Sequence, residues 1–275
     1  MIILDGKKLS EKILKKLKEE IKKSRFRPIL AVILIGDNLV SKLYIKQKEK
    51  ACVEIGAGFR LFCFPLKINI VLLKKEIEKI VDDSNNSGVI IQLPLPKELN
   101  TQEILDIVPP EKDVDVLSGR ILEKFYSGDF SFLPPVVGAV SEFFKEYKIS
   151  FINKKILLIG AGRLVGKPLA SWFFQNGINL SVANKFSKNI LSLVKNADII
   201  ISGAGNPGLI KGNMIKKGVI VIDIGTGIKN GRVLGDVDFK TVSKKAGYLT
   251  PVPGGIGPVT VACLLKNLVF LNKQT

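Results

Sequence analysis

Apolar positions along this chain follow two alternating patterns: short continuous runs, and longer segments with helical spacing. Ser10 is a predicted N-cap for a helix to about Arg25, whose stripe is Ile13, Leu14, Leu17 and Ile21. Ile29 to Ile35 is a continuous apolar run, as in a parallel strand buried on both faces. Gly36-Asp37-Asn38 turns the chain, and Ser41 is the predicted cap of a second helix ending near Gly56. Arg60 to Phe64 then reads as a strand, Val71 to Val81 as a helix, and Val89 to Leu93 as a buried strand stopped by Pro94 and Pro96. A short helix, Thr101 to Val108, precedes Pro109-Pro110. This β-α-β-α-β alternation predicts an α/β layer with a parallel sheet.

Residues 117 to 136 carry Ser118-Gly119, Ser127-Gly128 and Pro134-Pro135 and are predicted to be an irregular linker. A helix is expected from Val137 to Tyr147, then a second α/β alternation. Its strands are Lys155 to Ile159, Leu180 to Ala183, Asp198 to Ser202 and Val219 to Asp223. Pro168 suits the first turn of a helix that stops at Asn176-Gly177. A last helix, Val259 to Leu271, is expected to be apolar on one face. No internal repeat or low-complexity tract is visible.

Composition narrows the chemistry. The 275 residues are 46% hydrophobic, enough for two ordinary cores. No apolar run reaches the roughly 18 residues of a membrane span. The start, Met1-Ile2-Ile3-Leu4-Asp5-Gly6, meets charge too early for a signal peptide, so a cytoplasmic location with no membrane partner is expected. Cys52, Cys63 and Cys263 lack metal-ligand spacing and read as thiols; no metal site is expected. The net charge of +17 comes mostly from lysines scattered on helical faces, so no nucleic-acid partner is inferred; a positive field would still attract an anionic substrate. The chain has no histidine. That removes the histidine triads and histidine metal ligands, and leaves proton transfer to Lys, Tyr, Cys, Asp, Glu or water.

Two local patterns carry candidate chemistry. Gly160-Ala161-Gly162-Arg163-Leu164-Val165-Gly166 lies between a strand and a helix, where glycines let a pyrophosphate approach unpaired helix N–H groups. A tight βα turn with no ligand would also use glycines. After the next strand, Ala183-Asn184-Lys185-Phe186-Ser187 has no carboxylate for a ribose 2′-hydroxyl. Lys185 and Ser187 suit a 2′-phosphate, which favours NADP over NAD, although Lys185 also reads as one more solvated lysine. In the first half, Tyr44 and Lys48 are four residues apart and share a helix face. A lysine acts as a base only if desolvation lowers its pKa from about 10.4; most such pairs are surface contacts. Gln92-Leu93-Pro94-Leu95-Pro96 leaves the carboxyl end of a strand, where open α/β sheets place ligands. Asp113-Val114-Asp115 offers either a ligand acceptor or a turn cap. Pro251 to Thr260, with Pro253, Gly254 and Gly255, is a stiff loop suited to close backbone approach to a ligand.

Taken in order, Ser41-x-x-Tyr44-x-x-x-Lys48, Gln92-Leu93-Pro94-Leu95-Pro96, Lys112-Asp113-Val114-Asp115, Val165-Gly166-x-Pro168, Val221-Ile222-Asp223-Ile224-Gly225, Gly235-Asp236-Val237 and Thr250-Pro251-Val252-Pro253-Gly254-Gly255-Ile256-Gly257-Pro258 closely resemble the bifunctional methylenetetrahydrofolate dehydrogenase/methenyltetrahydrofolate cyclohydrolase family. The likeness covers essentially the whole chain. It implies NADP-dependent oxidation of 5,10-methylenetetrahydrofolate, then hydrolysis of the methenyl cation to 10-formyltetrahydrofolate. It implies Lys48 as the catalytic lysine, Tyr44 stacking on folate, Gln92 tuning the lysine and Asp115 anchoring the pterin. Pro253, Gly254 and Gly255 would join the substrate site. Gly160, Ala161, Gly162, Arg163, Val165, Gly166, Lys185, Ser187, Ile224 and Gly225 would hold the cofactor. The implied architecture is a folate-binding domain, 1–117 with 258–275, and a Rossmann-like NADP-binding domain, 118–257, with a cleft between them and a homodimer through the dinucleotide domains. The implied substrates are tetrahydrofolate derivatives, polyglutamylated forms included.

Four places along the chain depart from the family pattern. Val116 stands where glycine follows the second aspartate, so a branched side chain could crowd the pterin. Leu133-Pro134-Pro135-Val136 replaces Pro-Cys-Thr-Pro. Gly162 replaces a serine, and Asn184 a histidine. These changes touch the cofactor end more than the Lys48 site. Two other classes compete: a different NADP-dependent oxidoreductase of shikimate-dehydrogenase type, and a binding protein without turnover. The first explains the glycine turn but not Tyr44, Lys48 and Gln92 together.

Overall fold

The computed structural model describes residues 1–25, 27–229 and 232–274. In chain order the elements are β1 (Ile2–Ile3), α1 (Gly6–Lys23), β2 (Ile29–Ile35), α2 (Leu39–Ile55), β3 (Gly58–Phe64), α3 (Ile70–Asp82), β4 (Gly88–Ile91), α4 (Thr101–Leu105), α5 (Gly119–Ser127) and α6 (Pro135–Glu146). There follow β5 (Ile156–Ile159), α7 (Gly166–Gln175), β6 (Leu180–Ala183), α8 (Ile190–Asn196), β7 (Ile199–Ser202), β8 (Ile220–Asp223), β9 (Gly227–Lys229), β10 (Arg232–Leu234), α9 (Phe239–Val242), β11 (Tyr248–Leu249) and α10 (Ile256–Asn272).

The chain divides into two compact units: Glu11–Pro135 with Val261–Thr275, and Met1–Ser10 with Val136–Thr260. The first holds a parallel sheet in the order β3-β2-β4. Its central strand β2 is almost wholly buried, as its unbroken apolar run requires. Ala31, Ile33 and Ile35 pack with Leu73, Ile77, Ile80 and Val81 of α3. The second unit holds a six-stranded parallel sheet in the order β1-β11-β8-β7-β5-β6. Leu157 and Ile159, Ile200, Val221 and Leu249 share its core with Val194 of α8 and Val242 of α9. An antiparallel β9–β10 pair stands outside it.

Several local expectations are corrected. Ser10 does not cap α1; the helix starts at Gly6, and the Asp5 carboxylate accepts from the Lys8 amide at 3.0 Å. Ser10 sits inside the helix and donates to the Lys7 carbonyl. Asn38, not Ser41, caps α2, accepting from the Ser41 amide at 3.0 Å. Gly56 ends that helix in the left-handed region, at φ 83°. The segment expected as linker contains α5, with Phe125 and Ile121 buried. The Ser-Gly pairs that resemble breakers are its two ends: Ser118 is the N-cap position and Gly128, at φ 87°, the C-cap. α10 is buried nearly all round rather than on one face: Val259, Val261, Ala262, Leu264, Leu265, Leu268, Val269 and Leu271 are all in the core.

The chain passes from the first compact unit to the second at 135/136, where 117/118 was expected. The Asn267 side chain on α10 donates to both the Val114 and Leu133 carbonyls, which ties residues up to Leu133 to the first unit. Residues 1–10 belong to the second unit because β1 pairs with β11.

Candidate active site

In the first unit, α2 presents Tyr44, Lys48 and Cys52 at intervals of four. Ile45, Ala51, Cys52 and Ile55 bury this helix, and Lys48 is buried with them at 7% exposure. Lys42, Lys46 and Lys50 stay exposed on the other face. β4 brings the partners. Its end is held by the Gln92 amide donating to the Ile33 carbonyl of β2. The buried Gln92 accepts from Lys48 Nζ at 2.9 Å through Oε1. Gln92 Nε2 donates to the Leu93 carbonyl, so the acceptor end of the amide faces the amine. Ser41, buried one turn before Tyr44, donates to the same carbonyl. Tyr44 is half-buried.

The segment 112–113 runs beside β4, with Asp113 bridged to Val89 and the Val89 amide donating to Lys112. Asp113 is buried and closes a turn. One oxygen accepts from the Asp115 amide, and the other from Leu117 and Ser118 amides at 3.0 and 2.7 Å. Asp113 is therefore the turn cap, and Asp115 is the carboxylate whose charge acts on Lys48. Burial lowers the Lys48 pKa from the ordinary lysine range, with the Asp115 charge opposing it. Burial likewise raises Asp115, with Lys48 opposing. Burial moves each group toward its neutral form, the direction a lysine base requires. Burial pushes the Cys52 thiol up to about 12, so it stays protonated beside the amine.

In the second unit, the turn from β5 into α7 is shaped by backbone contact. Gly160 has φ 99°, and a Cβ there would meet the Gly203 carbonyl oxygen at 2.6 Å. A Cβ at Gly166 would lie 2.1 Å from the Gly160 oxygen. No side chain caps α7 at Val165; Lys167 donates to the Gly162 carbonyl at 3.0 Å and Pro168 has no N–H, so the Gly166 amide is the first-turn donor suited to an anion. Ala161, Gly162 and Arg163 are exposed at the crest of the turn. Asn184, Lys185 and Ser187 follow β6 as expected. Ser187 accepts from the Asn184 amide, and the Lys185 ammonium lies 4.9 Å from the Phe186 ring centre. Ile224 and Gly225 sit past the end of β8, with Gly225 buried.

Pro253, Gly254 and Gly255 form the loop before α10. The close approach there is made by the chain itself: Gly6 donates to the Gly254 carbonyl, and a Cβ at Gly6 would lie 1.7 Å from the Gly255 oxygen. Sequence reasoning passed over Ser202, and gave no role to Asp223 and Asp236, which are buried around the ends of β7 and β8. Their Gly-Asp and Asp-x-Gly settings were the available signal. Among the described residues, no group of three or more His, Cys, Asp or Glu side chains could hold a metal ion, and no helix is long and apolar enough to cross a membrane.

Residues 4–115 match the tetrahydrofolate dehydrogenase/cyclohydrolase catalytic domain, and residues 134–275 match the NAD(P)-binding domain of the same family. This chain belongs to the tetrahydrofolate dehydrogenase/cyclohydrolase family. It is 44% identical over 278 residues to the bifunctional protein FolD of Nautilia profundicola, covering 100% of this chain and 98% of that protein. The crystal structure of the bifunctional FolD enzyme of Campylobacter jejuni is 38% identical, with a TM-score of 0.95, covering 100% of this chain and 99% of that one. The Trypanosoma brucei methylenetetrahydrofolate dehydrogenase-cyclohydrolase, solved with NADP cofactor and inhibitor, is 31% identical with a TM-score of 0.92, covering 99% of this chain and 97% of that one. A Thermus thermophilus shikimate dehydrogenase, at 14% identity, TM-score 0.53 and coverage of 90% and 99%, shares the fold alone.

Within this family frame, two departures have a physical account. A Cβ at Gly162 would meet nothing within 4 Å, so the turn keeps its shape with or without the family's serine. Val116 is buried at 1% exposure and has φ 58°, a region that suits the family's glycine and penalises a β-branched residue. Its cost is backbone strain within the turn that carries Asp115.

Proposed function

We propose that this chain oxidises 5,10-methylenetetrahydrofolate with NADP and hydrolyses the 5,10-methenyl product to 10-formyltetrahydrofolate. The observation that carries the proposal is the buried Lys48–Gln92 hydrogen bond at 2.9 Å on an amine whose protonated form is disfavoured by burial. NADP, when bound, would supply the hydride acceptor for oxidation of the methylene carbon. The residues suited to hold it are Gly160, Ala161, Gly162, Arg163, Val165 and Gly166, the last at the start of α7, together with Ile224 and Gly225. The chain's own task in that step is to position the two reactants, since hydride transfer needs no acid or base.

In the second step a water adds to the cationic methenyl carbon. Neutral Lys48 accepts the water's proton through Nζ, and Gln92 keeps the lone pair directed by occupying one N–H. The carbinol then collapses: one carbon–nitrogen bond breaks, the hydroxyl proton passes to that nitrogen, the formyl group stays on the other nitrogen, and Lys48 returns its proton to solvent. Tyr44, half-buried on the same helix face, is suited to stack on the pterin, and Asp115 to accept from its ring N–H groups. Pro253, Gly254 and Gly255 would complete the substrate contacts.

NADP is favoured over NAD by two features. No carboxylate follows β6, where Asn184, Lys185 and Ser187 stand, and the Trypanosoma brucei relative was solved with NADP. The charge of +17 suits polyglutamylated folates. A cytoplasmic homodimer, joined through the dinucleotide units, completes the proposal; sedimentation tests the dimer. A spectrophotometric assay with methylenetetrahydrofolate, run with NADP and with NAD, tests the activity. Turnover with NADP and the appearance of 10-formyltetrahydrofolate are expected. Absence of both, or equal efficiency with NAD, would overturn the corresponding part.

A further inference from the structure

The strands β7 and β8 end side by side, and the chain leaving each is held by a buried carboxylate. Asp236 is fully buried. Its Oδ2 accepts from the Ser202 hydroxyl and the Ala204 amide, both at 2.7 Å, and its Oδ1 from the Asn206 amide at 2.6 Å. The loop 203–206 is thus wrapped around one carboxylate. Behind it stands Asp223, whose Oδ1 accepts from the Gly225 and Asp236 amides at 3.1 Å each and whose Oδ2 accepts from Val237 at 2.9 Å. Among the described residues, these six donors are five backbone amides and one hydroxyl, with no cation. The glycines nearby have no room for a side chain. A Cβ at Gly225 would lie 2.1 Å from the Asp236 carboxyl carbon, and one at Gly235 would lie 2.0 Å from Asp223 Oδ2.

The loop that Asp236 holds is the support of the dinucleotide turn. Gly203 donates to the Ile159 carbonyl at 2.8 Å, and its own carbonyl backs directly onto Gly160. A Cβ on Gly203 would strike Val165 Cγ1 at 2.4 Å, so the loop touches both ends of the turn. We infer that Asp236 is a positioning residue for cofactor binding: its carboxylate sets the 203–206 loop on which Gly160 and Val165 rest, and Asp223 anchors it from behind. The inference rests on the proposal that this turn receives NADP. A backbone-built site needs such a brace, because its donors are main-chain groups whose direction is set only by neighbouring main chain.

The test compares the wild-type chain with Asp236→Asn and Ser202→Ala. The readouts are calorimetric NADP binding, amide hydrogen exchange without ligand, thermal unfolding and cyclohydrolase turnover. Asp236→Asn turns an amino group toward donors that need an acceptor, and is expected to weaken NADP binding by about tenfold or more. Exchange at 160–166 and 203–206 should quicken, while cyclohydrolase turnover, which consumes no nucleotide, is retained. Ser202→Ala removes one of three bonds and is expected to weaken binding about threefold. A folded Asp236→Asn chain with wild-type affinity and exchange would overturn the inference, as would equal loss of NADP binding and cyclohydrolase turnover. If Asp236→Asn does not fold, unchanged affinity and exchange in Ser202→Ala overturn it. If the wild-type chain binds no NADP, the proposed function fails instead, and the exchange data still decide whether Asp236 braces the turn.

Discussion

The Lys48 site and the glycine turn are built on opposite principles. At Lys48 the chemistry lies in side chains, and the fold's work is desolvation: burial moves the amine and the nearby carboxylate toward their neutral forms, against the attraction between their charges. At the turn from β5 to α7 the chemistry lies in the backbone, and the fold's work is the exclusion of side chains. Gly160 and Gly166 touch main-chain atoms at distances no Cβ allows. A side-chain site is therefore sensitive to the identity of a few atoms, and a backbone site to added volume.

That difference can be tested by substitutions of opposite kind. Lys48→Met removes the base with little change in volume. Cyclohydrolase turnover should fall by more than about a hundredfold, with calorimetric NADP affinity unchanged; an unaffected rate would remove Lys48 from the mechanism. Gly166→Ala adds one methyl group 2.1 Å from the Gly160 oxygen. A loss of about 3 kcal/mol in denaturant unfolding and a large loss of NADP binding are expected; a stable, tight-binding variant would show that the turn yields.

Gln92→Glu separates charge from shape. Lys48 is the base only when neutral, so the cyclohydrolase rate should rise with pH through its folded pKa, which burial sets below 10.5. A carboxylate in contact with Nζ favours the ammonium and moves that limb to higher pH, with about tenfold less activity on the acid side for each unit moved. A limb that stays put would mean Gln92 does not tune the amine. Val116→Gly trades about 1–2 kcal/mol of left-handed strain against about 1.5–3 kcal/mol of lost burial. The net loss should be about 1 kcal/mol in thermal or denaturant unfolding, well below that of a buried valine in ordinary backbone. The smallest effect belongs to Gly162→Ser, since nothing lies within 4 Å of its added Cβ. Stability should change by less than about 0.5 kcal/mol, and NADP binding should hold or tighten; weaker binding would show that this departure from the family serves this chain.

The parallel strands β2, β4, β5, β7 and β8 were readable because each is built on a continuous apolar run, the composition that burial on both faces requires. β1, β11, α8 and α9 were not read. They are two to seven residues long, too short for a period to show. α5 was missed for a different reason: its capping Ser-Gly pairs are the same residues that mark a loop. Helix starts failed where the cap was another nearby polar residue, Asp5 for Ser10 and Asn38 for Ser41, because side-chain hydrogen bonding depends on where the turn begins. The Tyr44/Lys48 spacing, Gln92 and Asp115 were legible as a set through the family resemblance. The spacing alone would have fitted a surface pair equally well.

The sequence by itself determined the α/β class, the glycine turn and the absence of histidine chemistry, since these are properties of composition and near-neighbour pattern. Only the tertiary structure decided that Lys48 is buried on Gln92, that Asp113 closes the turn that carries Asp115, and that Asp236 supports the loop behind Gly160. The Lys48–Gln92 and Asp236 contacts join segments 30 or more residues apart, and the division of roles between Asp113 and Asp115 is a local turn whose setting beside β4 the rest of the fold supplies. No local pattern encodes desolvation, because it exists only when the rest of the chain is in place.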